Sequence, residues 1–373
     1  MRKFARTRLP LVGMSSRQSS VTYTMRSPSR KFIPSLHLLR GICAVSVALY
    51  HYLAWGHQFV ISSMGTFGVY TFFILSAVVL LHTHAEEFHD VISRERLLKF
   101  YVLRFARVIP LLAAVTLFGM VFVHFQQGAS FDYMWKKSFL TASGLFALHM
   151  PGILSTTTGA WSLGIEIVFY LLFPVLALLC SVMSTRAIAS WVVLLLLAQY
   201  ALLKSLPESS APEFWGQYIM PLTFAPFFGV GFLIYRSHRI NSHLDLGLSL
   251  VCLSLVFGFS LISRGDVLAA GFTYLLLTGL AGGAVYFAWS AKLPALLLPL
   301  AMFLGNISYS LYLTHWIAFE FAKKSGVPAI FPVVAISIAY LCWKFIERPA
   351  RRFLTPPPTE TASPTAAGLS QSK

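Results

Sequence analysis

Charge is scarce in this chain, and acid is scarcer still. Aspartate, glutamate, lysine and arginine make up 11% of 373 residues, against about 25% in an average soluble domain. That deficit excludes an ordinary water-soluble globule. Thirteen residues are acidic against 29 lysines and arginines, giving a formal net charge of +16. Such an excess raises nucleic acid as a partner, but no basic helix or aromatic platform stands outside the apolar segments, so none is expected. Cysteine is sparse too. Cys43, Cys180, Cys252 and Cys342 stand singly in apolar stretches, with neither metal-site spacing nor a disulfide framework. No Gly-rich phosphate loop, HExxH helix or GxSxG elbow occurs.

The first thirty or so residues are basic, serine-rich and free of acids, and they lack the apolar core of a secretory signal. Residues 1–34 read as a disordered basic cytoplasmic tail, with a transit peptide as the alternative. Residues 355–373, rich in proline, serine and threonine, read as a second disordered tail. Between them lies the transmembrane domain, 35–354.

Apolar sequence is abundant: 57% of residues are hydrophobic and the mean hydropathy is +0.70. Runs long enough to span a bilayer fall near 36–56, 65–84, 103–125, 161–184, 187–204, 215–236, 245–263, 267–290, 297–322 and 327–346. The expected fold is an all-α integral membrane protein of about ten transmembrane helices. The weaker stretch 135–150 reads as an outer re-entrant or interfacial segment. With the N-terminus inside, only Lys136, Lys137, Lys204, Arg264, Lys323 and Lys324 lie on outer segments. That bias places both termini in the cytoplasm. The expected location is a bacterial inner membrane, among membrane lipids.

Polar residues inside these runs are functional candidates, because lipid penalises them. Arg40 and His51 are eleven residues apart in the first span. At 3.6 residues per turn they return to within about 20° of one face, about 16 Å apart along the axis. Arg104 and Arg107 occupy neighbouring positions at the start of the third span, where two guanidinium forks suit an anionic cytosolic ligand; simple positive-inside anchoring is the plainer reading. Glu166 is the single acid of its span, with Tyr170 four residues on and Trp161 at the interfacial end. Ser308, Tyr312 and His315 share one stripe of the ninth span. His82, His84, Glu86, Glu87, His89 and Asp90 cluster at a membrane boundary, where polar residues are expected without a metal.

Taken in order, these segments resemble the acyltransferase 3 family of integral membrane O-acyltransferases. The resemblance rests on Arg40 with ten residues before His51, Gly68-Val-Tyr-Thr-Phe-Phe-Ile-Leu-Ser76, and Arg104-x-x-Arg107 before Ile109-Pro110. It continues with Trp161-Ser-Leu-x-x-Glu166-x-x-Phe-Tyr170 with Pro174, Leu304-Gly-x-Ile-Ser308-Tyr309-Ser-Leu-Tyr312-Leu-x-His315, and Glu347-Arg-Pro349. It covers roughly 34–354. Two departures stand out. His37 occupies the place of an aspartate that would pair with Arg40, and Ser76-Ala77 stands for Ser-Gly, which implies altered helix packing.

The resemblance implies about ten helices around the site, a cytoplasmic acyl-CoA donor, a sugar-hydroxyl acceptor, a catalytic His51 and donor-binding or site-organising Arg104 and Arg107. The expected activity is transfer of an acyl group, acetyl above all, to a glycan or lipid-linked sugar. Acetyl-CoA is expected as co-substrate, with no bound cofactor or metal. An imidazole titrates near neutrality, so His51 suits the role of base for the acceptor hydroxyl. Glu166 is expected to orient that ring or to stabilise its charged form. Arg40 is expected to guide the pantetheine arm or polarise the thioester carbonyl. Tyr170, Ser308, Tyr312 and His315 are expected as acceptor or supporting residues. A secondary transporter using the same charges is the rival reading; it lacks the inverted repeats that mark many transporters.

Overall fold

The computed structural model describes residues 32–57, 61–90, 92–128, 130–149, 157–206, 212–237, 244–262 and 271–354. The two expected tails lie almost wholly outside them. The described residues are helical, with no strand among them. In chain order the helices are α1 Pro34–His57, α2 Ser62–His84, α3 Arg94–Gln127, α4 Phe131–Ser143, α5 Ala160–Val182, α6 Thr185–Ser205 and α7 Pro212–Tyr218. There follow α8 Pro221–Ser237, α9 Asp245–Ile262, α10 Gly271–Ser290, α11 Leu298–Lys324, α12 Phe331–Cys342 and α13 Arg348–Leu354.

Nine described helical stretches are long and apolar enough to cross a membrane. The chain is therefore a multi-pass integral membrane protein. Large apolar side chains point outward on many of these helices, among them Phe125 at 77% exposed, Val182 at 71% and Val333 at 70%. Water would penalise such a surface; hydrocarbon does not. The expected span 215–236 is divided. A short α7 ends at Tyr218, and α8 restarts at Pro221, whose missing N–H suits a helix start. The 17 residues of α8 reach about 26 Å, at the lower end of what a span needs. The stretch 135–150 is not a span: α4 holds 13 residues and a 3₁₀ turn, Leu145–Leu148, follows.

Three packing relations position the site. α1 lies along α11, and α2 lies against both α1 and α8. α8 approaches α2 closely: a Cβ on Gly231 would lie 2.6 Å from Ala77 Cβ and 2.8 Å from the Ile74 carbonyl. Where the family pattern has glycine on α2, this chain carries alanine there and the glycine on α8. At the far end, residues Trp343–Glu347 form a π turn that carries Glu347 inward, 2% exposed. Its carboxylate accepts from Ser310 Oγ at 3.1 Å, which fastens the last helices to α11.

Candidate active site

α1 and α11 run side by side in the same direction, so their polar residues meet in register. At one end the Arg40 guanidinium donates from Nε to Ser308 Oγ at 2.8 Å and from a terminal nitrogen to the Gly305 carbonyl at 2.7 Å. Ser308 also donates to that carbonyl, at 2.8 Å. No described carboxylate lies within ion-pair distance of Arg40. His37, which replaces the expected aspartate, pairs with Asn306 Oδ1 at 3.3 Å. The departure at His37 thus has a local answer: Arg40 is held by neutral oxygens of α11.

Eleven residues along, His51 stacks on His315, with ring centroids 4.7 Å apart and planes at 29°. His51 Nδ1 lies 3.0 Å from the Val47 carbonyl. His315 Nδ1 lies 2.7 Å from the Tyr312 carbonyl. A carbonyl only accepts, so in each neutral ring Nδ1 carries the proton and Nε2 the lone pair. His315 is fully buried and its Nε2 has no partner among the described residues. His51 is half-buried, and its Nε2 is the more accessible of the two.

Trp55 completes this end. Its ring lies 4.6 Å from that of His51 and 5.7 Å from that of His315, nearly parallel to the latter at 9°. Spacing alone had a signal for it, since Trp55 is four residues beyond His51 on the same face. Sequence reasoning had weighed only the charged and titratable residues of α1.

The arginine pair is asymmetric. Arg104 donates to His84 Nε2 at 2.7 Å, and His84 Nδ1 faces Glu87 at 3.1 Å. Arg104 also lies over the Phe100 ring at 5.7 Å. His84 and Glu87, read from sequence as boundary polar residues, orient this arginine. Arg107 makes no hydrogen bond or ion pair with any described residue. Tyr309 fixes the helix beside it by donating to the Val108 carbonyl at 2.7 Å. The electrostatic neighbours of Arg40 are Arg107, Glu347, Arg351 and Glu166. With Arg40 itself counted, three arginines face two carboxylates.

The expected pairing of Glu166 with His51 is corrected. Glu166 Oε1 accepts from Ser76 Oγ at 2.8 Å and from Tyr170 OH at 2.5 Å. Among the described residues it makes no bond to His51. It sits with the arginines because its face of α5 turns to Ser76 of α2. Tyr312 likewise has a specific task. Its hydroxyl is 2.6 Å from Ser162 Oγ and donates to the Gly159 carbonyl at 3.3 Å. Gly159 starts α5 at φ +81°, a conformation that favours glycine. Tyr312 thereby ties α11 to the start of the helix bearing Glu166. Of the residues singled out from sequence, the structure joins His51 with His315, Arg40 with Ser308, and Glu166 with Tyr170.

A family model described as an acyltransferase domain, that of acyltransferase 3, matches residues 33–346. Peptidoglycan O-acetyltransferase OatA of Listeria monocytogenes is 31% identical over 160 residues, which take in 39% of this chain and 24% of that protein. ORF330 of Acidianus two-tailed virus, whose acetyltransferase name is provisional, is 26% identical over 320 residues, 83% of this chain and 89% of its own. The chain thus spans about a quarter of the first relative and most of the second. No solved structure matches.

Proposed function

This chain belongs to the acyltransferase 3 family of integral membrane O-acyltransferases, and from that premise we propose that it moves an acetyl group from cytoplasmic acetyl-CoA to a hydroxyl of a glycan or glycolipid. The observation that carries the reading is the His51 ring: Nδ1 is committed to the Val47 carbonyl, so Nε2 is left as a base at the end of α1 opposite Arg40. The cytoplasmic-inside orientation follows the lysine and arginine bias and belongs to the proposal, as does a bacterial inner membrane.

The arginine end suits the donor. Arg107 offers a guanidinium with no protein partner among the described residues, and a planar fork matches phosphate oxygens. Arg104 is braced by His84, and Arg351 adds charge nearby. Arg40 is committed to Ser308 and Gly305, so it lines the path rather than gripping a phosphate. The uncharged pantetheine arm would follow α1 for the roughly 16 Å that separate Arg40 from His51. At the far end His51 Nε2 removes the acceptor proton as its oxygen attacks the thioester carbonyl. The C–S bond breaks, the new ester forms, and the thiolate leaves with the proton from His51. His315, stacked against His51 with its own Nδ1 tied, holds the reacting ring in place. Glu166, held by Ser76 and Tyr170, balances the arginines.

The test is chemical. Surface glycans and lipids from cells lacking the gene, and from cells complemented with wild type or His51→Ala, are compared by mass spectrometry. The proposal expects an O-acetyl group that returns with wild type and not with the variant. Identical spectra in all three would overturn it.

A further inference from the structure

We infer that Trp55 is the platform on which the acceptor's sugar ring stacks, holding one hydroxyl at the edge of His51; this rests on the acyl-transfer reading of that site. Trp55 is 41% exposed, yet it is fixed on its inner side. Its centroid lies 4.6 Å from His51, 5.7 Å from His315 and 5.2 Å from Phe319. His315 is fully buried and His51 half-buried, so Trp55 is the ring of this stack most open to its surroundings. It stands one turn beyond His51, near the end of α1 at His57.

A tryptophan that merely marks the membrane interface needs an amphipathic ring at headgroup depth. It does not need two histidines and a phenylalanine to set its plane. A rigid, part-exposed indole costs little side-chain entropy on binding and presents a large flat contact area. A pyranose is built to meet it: one face shows C–H groups, while its hydroxyls project from the rim. Face-on stacking on the open side of the indole would let rim hydroxyls reach past its border toward His51, whose ring centroid lies 4.6 Å from that of Trp55 with the planes at 38°. The inference separates two tasks within one cluster, binding by Trp55 and proton removal by His51.

The test uses the full-length protein in lipid nanodiscs, with Trp55→Leu and Trp55→Phe. Acetyl-CoA-dependent CoA release is measured against a panel of hexose, N-acetylhexosamine and 6-deoxyhexose oligosaccharides, and against glycerol. Oligosaccharide binding is followed separately by saturation-transfer NMR. Trp55→Leu should raise the oligosaccharide KM about tenfold, with a matching loss of binding. The KM for acetyl-CoA should stay within about twofold, and Trp55→Phe should recover part of the loss. An unchanged oligosaccharide KM in Trp55→Leu overturns the platform, and so does a wild type that releases CoA but binds no sugar. A wild type that binds sugar in a Trp55-dependent way yet never releases CoA defeats the acyl-transfer reading instead, and leaves the platform standing. If Trp55→Leu fails to insert, the equally non-aromatic Trp55→Met carries the same KM comparison.

Discussion

Replacing Gly41 with alanine adds one methyl group where α1 closely approaches the backbone of α11. That Cβ would lie 2.6 Å from Leu304 Cβ and 2.9 Å from the Leu304 backbone carbon. Ordinary contact begins at 3.4 Å, so the helices must separate locally by about 0.8 Å. Backbone atoms cannot swing aside as a side-chain tip does. Overpacking of this kind costs about 1–3 kcal/mol. The neighbouring Arg40 bonds, now 2.8 and 2.7 Å, would stretch to roughly 3.5 Å, the edge of hydrogen bonding. The His51–His315 stack bridges the same two helices and would loosen with them. A misplacement near 1 Å costs about 10²-fold in rate. CoA release by the purified variant should therefore fall about a hundredfold, with a lower Tm. Gly279→Ala is the control, because nothing lies within 4 Å of a Cβ there. A Gly41→Ala protein with wild-type turnover and Tm would refute the reasoning, because the register of α1 on α11 would then not set the geometry.

Three further outcomes are expected. Arg107→Ala should raise the KM for acetyl-CoA at least about tenfold, and Arg107→Lys should restore only part, since an ammonium lacks the bidentate fork; unchanged donor affinity in the alanine variant would leave Arg107 as a topology anchor. Tyr312→Phe removes the hydroxyl that meets Ser162 and the Gly159 carbonyl, so thermal unfolding should show a loss of about 1 kcal/mol; an unaltered melting curve would mean that this tie does not hold α5. In a background without Cys43, Cys180, Cys252 and Cys342, Ser130→Cys should react with an impermeant thiol reagent in intact cells and Ser93→Cys only after permeabilisation; the opposite pattern would put the donor arginines on the outer side.

Much of this architecture was legible from hydropathy, because a bilayer demands long apolar runs and tolerates few exceptions. The first-span run near 36–56 corresponds to Pro34–His57, and the alignment of Arg40 with His51 follows from helical period alone. The break between α7 and α8 was missed because two apolar pieces either side of Tyr218 and Pro221 read as one run. Tyr170 was visible as the partner of Glu166 at four residues' spacing. Ser76 was not, because 90 residues separate it from Glu166 in sequence and only the packing of α2 on α5 joins them. The same limit explains the mistaken pairing of Glu166 with His51: spacing orders residues within a helix and says nothing of which helix each face meets. His84 and Trp55 carried local signals of a different kind, one polar at a boundary and one aromatic at helical spacing. Their tasks became readable once Arg104 and His51 had positions.

The central claim is that His51 Nε2 is the base for acetyl transfer. Its most direct test is label transfer from radiolabelled acetyl-CoA to an added oligosaccharide by purified, nanodisc-embedded wild type and His51→Ala, with insertion and donor binding checked in both. Loss of a general base costs about 10²–10⁴ in rate, so the variant should bind acetyl-CoA as wild type does and transfer at most about 1% as fast. Transfer by His51→Ala at a rate near that of wild type would contradict the account.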